Sequence, residues 1–116
     1  TITPTDLSCV CTTQITSMED MFNGQATFND DISNWDTSNV TNMQQMFMNN
    51  PCFNDDISKW NTSKVTSMIQ MFSGAKSFNG DISKWNTSRV KDMSNMFSFT
   101  GSLRRGIEET ISLLRN

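Results

Sequence analysis

Apolar and polar positions along this chain recur at a fixed interval of 25 residues. The segments DISNWDTSNVTNMQQMF from Asp31, DISKWNTSKVTSMIQMF from Asp56 and DISKWNTSRVKDMSNMF from Asp81 align position for position. Written as columns, Trp35, Trp60 and Trp85 share one slot, and Ile32, Ile57 and Ile82 another. Met18, Met43, Met68 and Met93 form a third, Met21, Met46, Met71 and Met96 a fourth, and Phe22, Phe47, Phe72 and Phe97 a fifth. Ile15, Val40, Val65 and Val90 align, as do Phe28, Phe53 and Phe78. Two local patterns alternate within each repeat. T-x-M-x-x-M-F, as in Thr41 to Phe47, spaces its apolar residues as a helix does. Thr16 with Glu19 and Thr41 with Gln44 read as capping boxes, and Gly24, Asn49 and Gly74 as left-handed helix ends. The pattern therefore predicts a helix of one to two turns. F-N-x-D-I-S-x-W then predicts a short strand around Ile32, Ile57 and Ile82, and the DTSN, NTSK and NTSR segments read as turns.

An interval of this size is the signature of an α/β repeat solenoid, a stack of coils each built from a short strand and a short helix. Strands of successive coils would pair in parallel, roughly 4.8 Å apart. The register reaches both ends in degraded form. Leu7 falls in the Ile32 slot, Val10 in the tryptophan slot, Leu103 in the Phe28 slot and Ile107 in the Ile32 slot. Terminal coils must face water, so degraded copies are expected there. The division read from the sequence is one domain: a partial coil over 1–14, repeats over 15–100 and a C-terminal capping helix over 101–116. That helix is amphipathic, with Ile107, Ile111 and Leu114 on one side, Glu108 and Glu109 early and Arg115 late. Docking a partner or a neighbouring domain is its alternative use.

Composition changes the picture little. At 116 residues the chain suits one domain, and its 35% hydrophobic content is low for a globule but enough for a narrow inward stripe per coil. Eight of its nine methionines lie in two columns, which makes them core fillers rather than a promiscuous binding surface. Only Met48 stands outside them.

With no histidine and no tyrosine, Ser-His-Asp and Cys-His catalysis and histidine metal sites are excluded. Phosphate-loop, dinucleotide and metalloprotease motifs are absent. The chain therefore reads as a non-enzyme. The paired carboxylates Asp30 with Asp31 and Asp55 with Asp56 repeat coil by coil, as a structural slot would. Asp31, Asp56 and Asp81, with Asp6, make an acidic column that needs compensation. Turn N–H groups would supply it, or weakly bound calcium would. Otherwise no cofactor is implied. The polar columns Asn29, Asn54 and Asn79, Thr37, Thr62 and Thr87, and Ser38, Ser63 and Ser88 read as ladders that bond along the stack or at its bends. A net charge of −3 with interleaved basic residues argues against a nucleic-acid partner. No segment resembles a membrane span. Cys9, Cys11 and Cys52 are too close together or too far apart for an internal bridge, and sequons stand at Asn39, Asn61 and Asn86.

The run W-D-T-S-x-V-T-N-M-x-x-M-F followed by F-N-x-D-I-S resembles the bacterial surface-protein repeat of about 25 residues found in mycoplasma-type lipoproteins. It is similar in layout to the BspA-type, or Treponema-type, leucine-rich repeat. The resemblance spans about residues 6–107. It implies a right-handed leucine-rich-repeat-like solenoid at the cell surface or secreted, and such repeats also occur in protists and large viruses, so a virion surface fits too. It implies adhesion, recognition or surface structure. Lys91 in place of the capping Thr and Phe99 in place of the helix-ending Gly depart from the pattern. Thr1 with no signal peptide or lipobox reads as a processed chain or a fragment.

The functional expectation is a surface-exposed module that recognises protein or glycan partners. Its candidate face is Asn34, Lys59 and Lys84 with Asn39, Lys64 and Arg89, which vary while the core columns do not. The alternative is a structural protomer that self-associates into a fibre, coat or appendage, with Met48 and the atypical ends as contacts.

Overall fold

The computed structural model describes Leu7 and residues 10–100. The expected capping helix over 101–116 and most of the partial coil over 1–14 lie outside the described residues. Repeats are numbered here from their branched residue: repeat 1 is 15–39, repeat 2 is 40–64, repeat 3 is 65–89, and repeat 4 begins at Val90.

One aromatic cluster forms the core. Within each repeat two phenylalanines lie face to face: Phe22 on Phe28 at 4.0 Å, Phe47 on Phe53 at 3.9 Å and Phe72 on Phe78 at 4.2 Å between centroids. Each ring also lies near-parallel to its equivalent in the next repeat. Phe22, Phe47, Phe72 and Phe97 follow one another at 5.6–5.8 Å. Trp60 and Trp85 are parallel at 6.5 Å. Met18, Met43 and Met68, Met46, Met71 and Met96, Ile32, Ile57 and Ile82, and Val40 and Val65 are buried around these rings. Ile15, Met21, Val90, Met93 and Phe97, at the two ends, pack on the cluster while only partly buried. Burying one such side chain is worth about 1.5–3 kcal/mol, and aromatic pairs add about 0.5–1.5 kcal/mol each.

The predicted helix does not form. No α-helix and no named strand occurs among the described residues. Residues Met18 to Gly24 instead run as successive tight turns, with Met21 N–H donating to Met18 O, Asn23 to Asp20 O and Gln25 to Phe22 O. The N–H groups in between leave the repeat altogether. Met18, Asp20, Phe22 and Gly24 donate to Asn42, Gln44, Met46 and Met48 of repeat 2 at 2.9–3.0 Å, and Thr41 N–H returns a bond to Thr16 O at 2.8 Å. The same five bonds join repeat 2 to repeat 3 and repeat 3 to repeat 4. Isolated parallel bridges Ser17–Asn42, Asn42–Ser67 and Ser67–Asp92 mark this ladder.

Backbone geometry explains why the methionine spacing misleads. Asp20, Gln45, Gln70 and Asn95 have φ between 52° and 58°, which no right-handed helix contains. A positive φ at the third position of a four-residue turn is the type II pattern. A helix this short is marginal alone, whereas the ladder satisfies the same N–H groups and leaves each methionine pointing inward. The predicted caps act differently too. Thr41 and Thr66 hydroxyls donate to Thr16 O and Thr41 O of the repeat before. It is Asn42 Oδ1 that accepts Gln44 N–H, at 2.8 Å, and Asp92 Oδ1 that accepts Ser94 N–H. The column read as helix ends is indeed left-handed, at Gly24, Asn49, Gly74 and Phe99, but it closes turns.

Around Ile32, Ile57 and Ile82 the predicted strand is also absent. Parallel pairing lies instead at the Ser17 column. Side chains bridge the repeats here. Ile32 O accepts both Trp35 N–H within its repeat and the indole Nε1–H of Trp60 from the next, each at 3.1 Å. Ile57 O takes Trp60 N–H and the Trp85 indole in the same way, and Leu7 O takes Val10 N–H and the Trp35 indole. Ile32 N–H donates to Asp55 Oδ2 at 2.8 Å. With both backbone groups of the isoleucine engaged in this way, nothing remains for a strand ladder.

The polar columns run along the molecule. Asn54 N–H and Asn79 N–H donate to Asn29 Oδ1 and Asn54 Oδ1 of the preceding repeat. The hydroxyls of Thr12, Thr37 and Thr62, all buried, donate to Asp36 O, Asn61 O and Asn86 O of the following one, at 2.9–3.0 Å.

Candidate functional site

The six residues of the candidate face lie at turns. Asn34, Lys59 and Lys84 occupy the turn that precedes each tryptophan, and all three are exposed. Asn39, Lys64 and Arg89 occupy the turn that precedes each valine. Lys64 and Arg89 are exposed and Asn39 half-buried. This second column is tied along the molecule: Lys64 Nζ donates to Asn39 Oδ1 at 3.2 Å, and Asn39 Nδ2 to Thr13 O at 2.7 Å. Met48, outside the methionine columns, is half-buried.

The acidic column borders the lysines. Asp31, Asp56 and Asp81 each accept the N–H and hydroxyl of the serine two residues on, at 2.6–3.0 Å. Those serine hydroxyls, then the serine N–H groups, hold the Asp56 and Asp81 carboxyls below the ordinary value of 3.8, with smaller help from Lys59 and Lys84. Asp36 and Asp92 are lowered by Ser38 and Ser94 in the same manner. Turn hydrogen bonds thus provide the compensation that the acidic column requires. A shallow cleft of about 310 Å³ opens among Asn54, Asp55, Asp56, Ser58, Asn79, Gly80 and Asp81. It lies where calcium would be expected, yet among the described residues no group of three carboxylate, thiol or imidazole side chains is arranged to hold a metal ion. Asp55 is committed to Ile32 N–H across the repeat boundary.

Cys11 and Cys52 are free and exposed, and Cys9 lies outside the described residues. The sequon asparagines Asn61 and Asn86 are exposed. Their side-chain oxygens accept Ser63 and Ser88 N–H. No helix among the described residues is long and apolar enough to cross a membrane.

Sequence reasoning missed the ties that fix this surface: the indole to the isoleucine carbonyl 28 positions upstream, Asp55 to Ile32, and Gln45 Nε2 to Gln70 Oε1 at 2.9 Å. The constant three-residue step from isoleucine to tryptophan was the available signal for the first. No sequence signal pointed to the others.

Repeats that share one aromatic core and a backbone ladder make this a repeat protein with almost no regular secondary structure in the described region. The chain belongs to the family described as Mycoplasma protein of unknown function, DUF285, whose model matches residues 2–110. No curated protein and no solved structure matches it.

Proposed function

We propose that this chain is a non-enzymatic recognition module of a cell-surface or secreted protein, a right-handed solenoid related to BspA-type leucine-rich repeats. It binds a protein or glycan through the face made by Asn34, Lys59 and Lys84 with Lys64 and Arg89. One observation carries the reading: these positions are exposed and change in part along the repeats, Asn34 against Lys59 and Lys84 and Lys64 against Arg89, while the side chains beneath them are buried and nearly constant. Hydrogen-bonded turns hold the face rigid, so little side-chain and loop entropy is lost on binding. The lysines alternate with carboxylates, which favours a partner carrying both charges and hydroxyls.

The test is a glycan array and a panel of purified cell-surface proteins probed with the labelled chain and with Lys59→Glu/Lys84→Glu. The reading expects a saturable ligand whose binding the double variant loses at an unchanged melting temperature. Absence of any ligand, or binding indifferent to the substitutions, would remove it. A second reading, a self-associating structural protomer, is favoured by Phe99, whose side chain is 83% exposed.

A further inference from the structure

Asparagine is followed by glycine twice in the chain, at Asn23-Gly24 and Asn79-Gly80. In such a pair the backbone nitrogen of the glycine can attack the side-chain amide of the asparagine, because no Cβ hinders its approach. The attack needs a glycine nitrogen that is not committed to a hydrogen bond, and water to finish the reaction. The fold treats the two pairs differently. Gly24 N–H is a rung of the ladder and donates to Met48 O at 2.9 Å. Asn23 Nδ2 donates to Asp20 Oδ1 at 2.9 Å, and its N–H to Asp20 O at 3.1 Å. Reaction there has to break both the rung to Met48 and the side-chain tie to Asp20.

Gly80 N–H lies off the ladder. It makes no hydrogen bond among the described residues. Neither does the N–H of Asp55, its equivalent in repeat 2, which has described repeats on both sides. The stack itself therefore leaves this position's N–H unused. Asn79 is anchored by its backbone, with N–H donating to Asn54 Oδ1 at 2.8 Å, and is half-buried. The cleft of about 310 Å³ that Asn79 and Gly80 line with Asp55, Asp56 and Asp81 gives water access to both. Repeats 1 and 2 carry aspartate after the same asparagine, as Asn29-Asp30 and Asn54-Asp55, so glycine at this place is peculiar to repeat 3.

We propose that Asn79 is a self-modification site of the folded chain. The Gly80 nitrogen attacks Asn79 Cγ, the Cγ–Nδ2 bond breaks, and ammonia leaves with the proton of Gly80 N–H. Water then opens the resulting succinimide at either of its carbonyls, giving aspartate or isoaspartate. Either product adds a carboxylate beside Asp55, Asp56 and Asp81, where like charges repel. Isoaspartate also lengthens the main chain by one methylene between the buried Phe78 and Ile82. That displaces repeat 3 on repeat 2, where Asn79 N–H meets Asn54 Oδ1. The modification thus loosens one repeat boundary as the chain ages, and it is independent of the recognition reading.

The test is incubation of the full chain, folded in neutral buffer and in parallel unfolded in guanidinium chloride. Cleavage after lysine separates the two pairs, since Ser77–Lys84 carries Asn79 and the segment ending at Lys59 carries Asn23. Fragmentation in the mass spectrometer then places each amide-to-acid change on its residue. In the folded chain Asn79 should convert at least about tenfold faster than Asn23, whose glycine nitrogen is released only by local opening of the ladder. In the unfolded chain the two rates should converge. Asn79→Gln, whose longer side chain closes a less favourable ring, should abolish conversion in its segment and keep the melting temperature of the aged chain from falling. Folded Asn79 converting no faster than Asn23, or no faster than Asn54 in its own column, would overturn the proposal. So would a contrast between the two pairs that persists in guanidinium chloride, because the fold would not then be its cause.

Discussion

The indole nitrogen of Trp60 donates to the carbonyl oxygen of Ile32 at 3.1 Å, joining two repeats through a side chain. The same carbonyl accepts Trp35 N–H, so both its lone pairs are occupied in a buried setting. The tryptophan column therefore contributes a ring to the core and a directional tie between repeats.

Replacing Trp60 separates the two contributions. Trp60→Phe keeps an aromatic ring but removes the donor, and should cost about 1–3 kcal/mol. Trp60→Ala also empties the ring's place and should cost about 3–5 kcal/mol, a large share of a typical total of about 5–15 kcal/mol. Urea unfolding of both variants measures the difference. A Trp60→Phe variant as stable as the parent would mean that the hydrogen bond contributes nothing, and equal losses in the two variants that the ring's packing adds nothing.

Gly24 and Gly74 have nearly the same φ, 76° and 77°, but different surroundings. Gly24→Ala should lose only the cost of a left-handed alanine, about 1–2 kcal/mol. Gly74→Ala adds a contact of 2.8 Å with Asn49 Oδ1 and should lose more. Thermal melts of the pair give the comparison, and Gly24→Ala as the worse variant would contradict it.

The buried hydroxyl of Thr62 donates to Asn86 O at 3.0 Å. Thr62→Val keeps the shape and removes the donor, for an expected loss of about 0.5–1.5 kcal/mol. An unchanged denaturant midpoint would show that this column is not a stabilising ladder.

Acid sensitivity follows from the serine turns. Asp36, Asp56, Asp81 and Asp92 titrate below their ordinary 3.8 in the folded chain, chiefly through the serine hydroxyls. A lowered folded value means that the unfolded chain takes up protons first. The contribution is complete above the unfolded value of about 3.9 and fades as pH falls through the folded one. The melting temperature should be level from pH 7 to about pH 5 and fall below about pH 4. Asp36→Asn should reduce that fall, since Asn61 and Asn86 fill the same column and accept Ser63 and Ser88 N–H without a charge. A transition centred above pH 5 would contradict the assignment.

The columns were legible because a side chain buried against its equivalent must repeat in kind. Phe47 lies on Phe72, and Trp60 on Trp85, with their sequence neighbours equally constant. Local conformation was not legible. Met43 and Met46 have helical spacing, yet Gln45 between them turns left-handed and sends its N–H to Ile69 O. Spacing reports which residues face inward, whereas the hydrogen-bond partner of each N–H depends on the repeat alongside, which no local window contains. Ile57 looked like strand for the same reason: its carbonyl is taken by Trp60 N–H and the Trp85 indole, a long-range use of a residue type that local statistics assign to sheets. At the candidate face, the exposure of Lys59 and Lys84 could be read from the change to Asn34 in their column, but the link from Lys64 to Asn39 could not.

The ladder between repeats is tested most directly by scalar couplings across hydrogen bonds in an isotope-labelled sample. The account predicts that Phe47 nitrogen couples to the carbonyl carbon of Met71, and Gln45 nitrogen to that of Ile69. Coupling of Phe47 nitrogen to the carbonyl carbon of Met43, four residues upstream, would mean that a helix forms there after all and would contradict it.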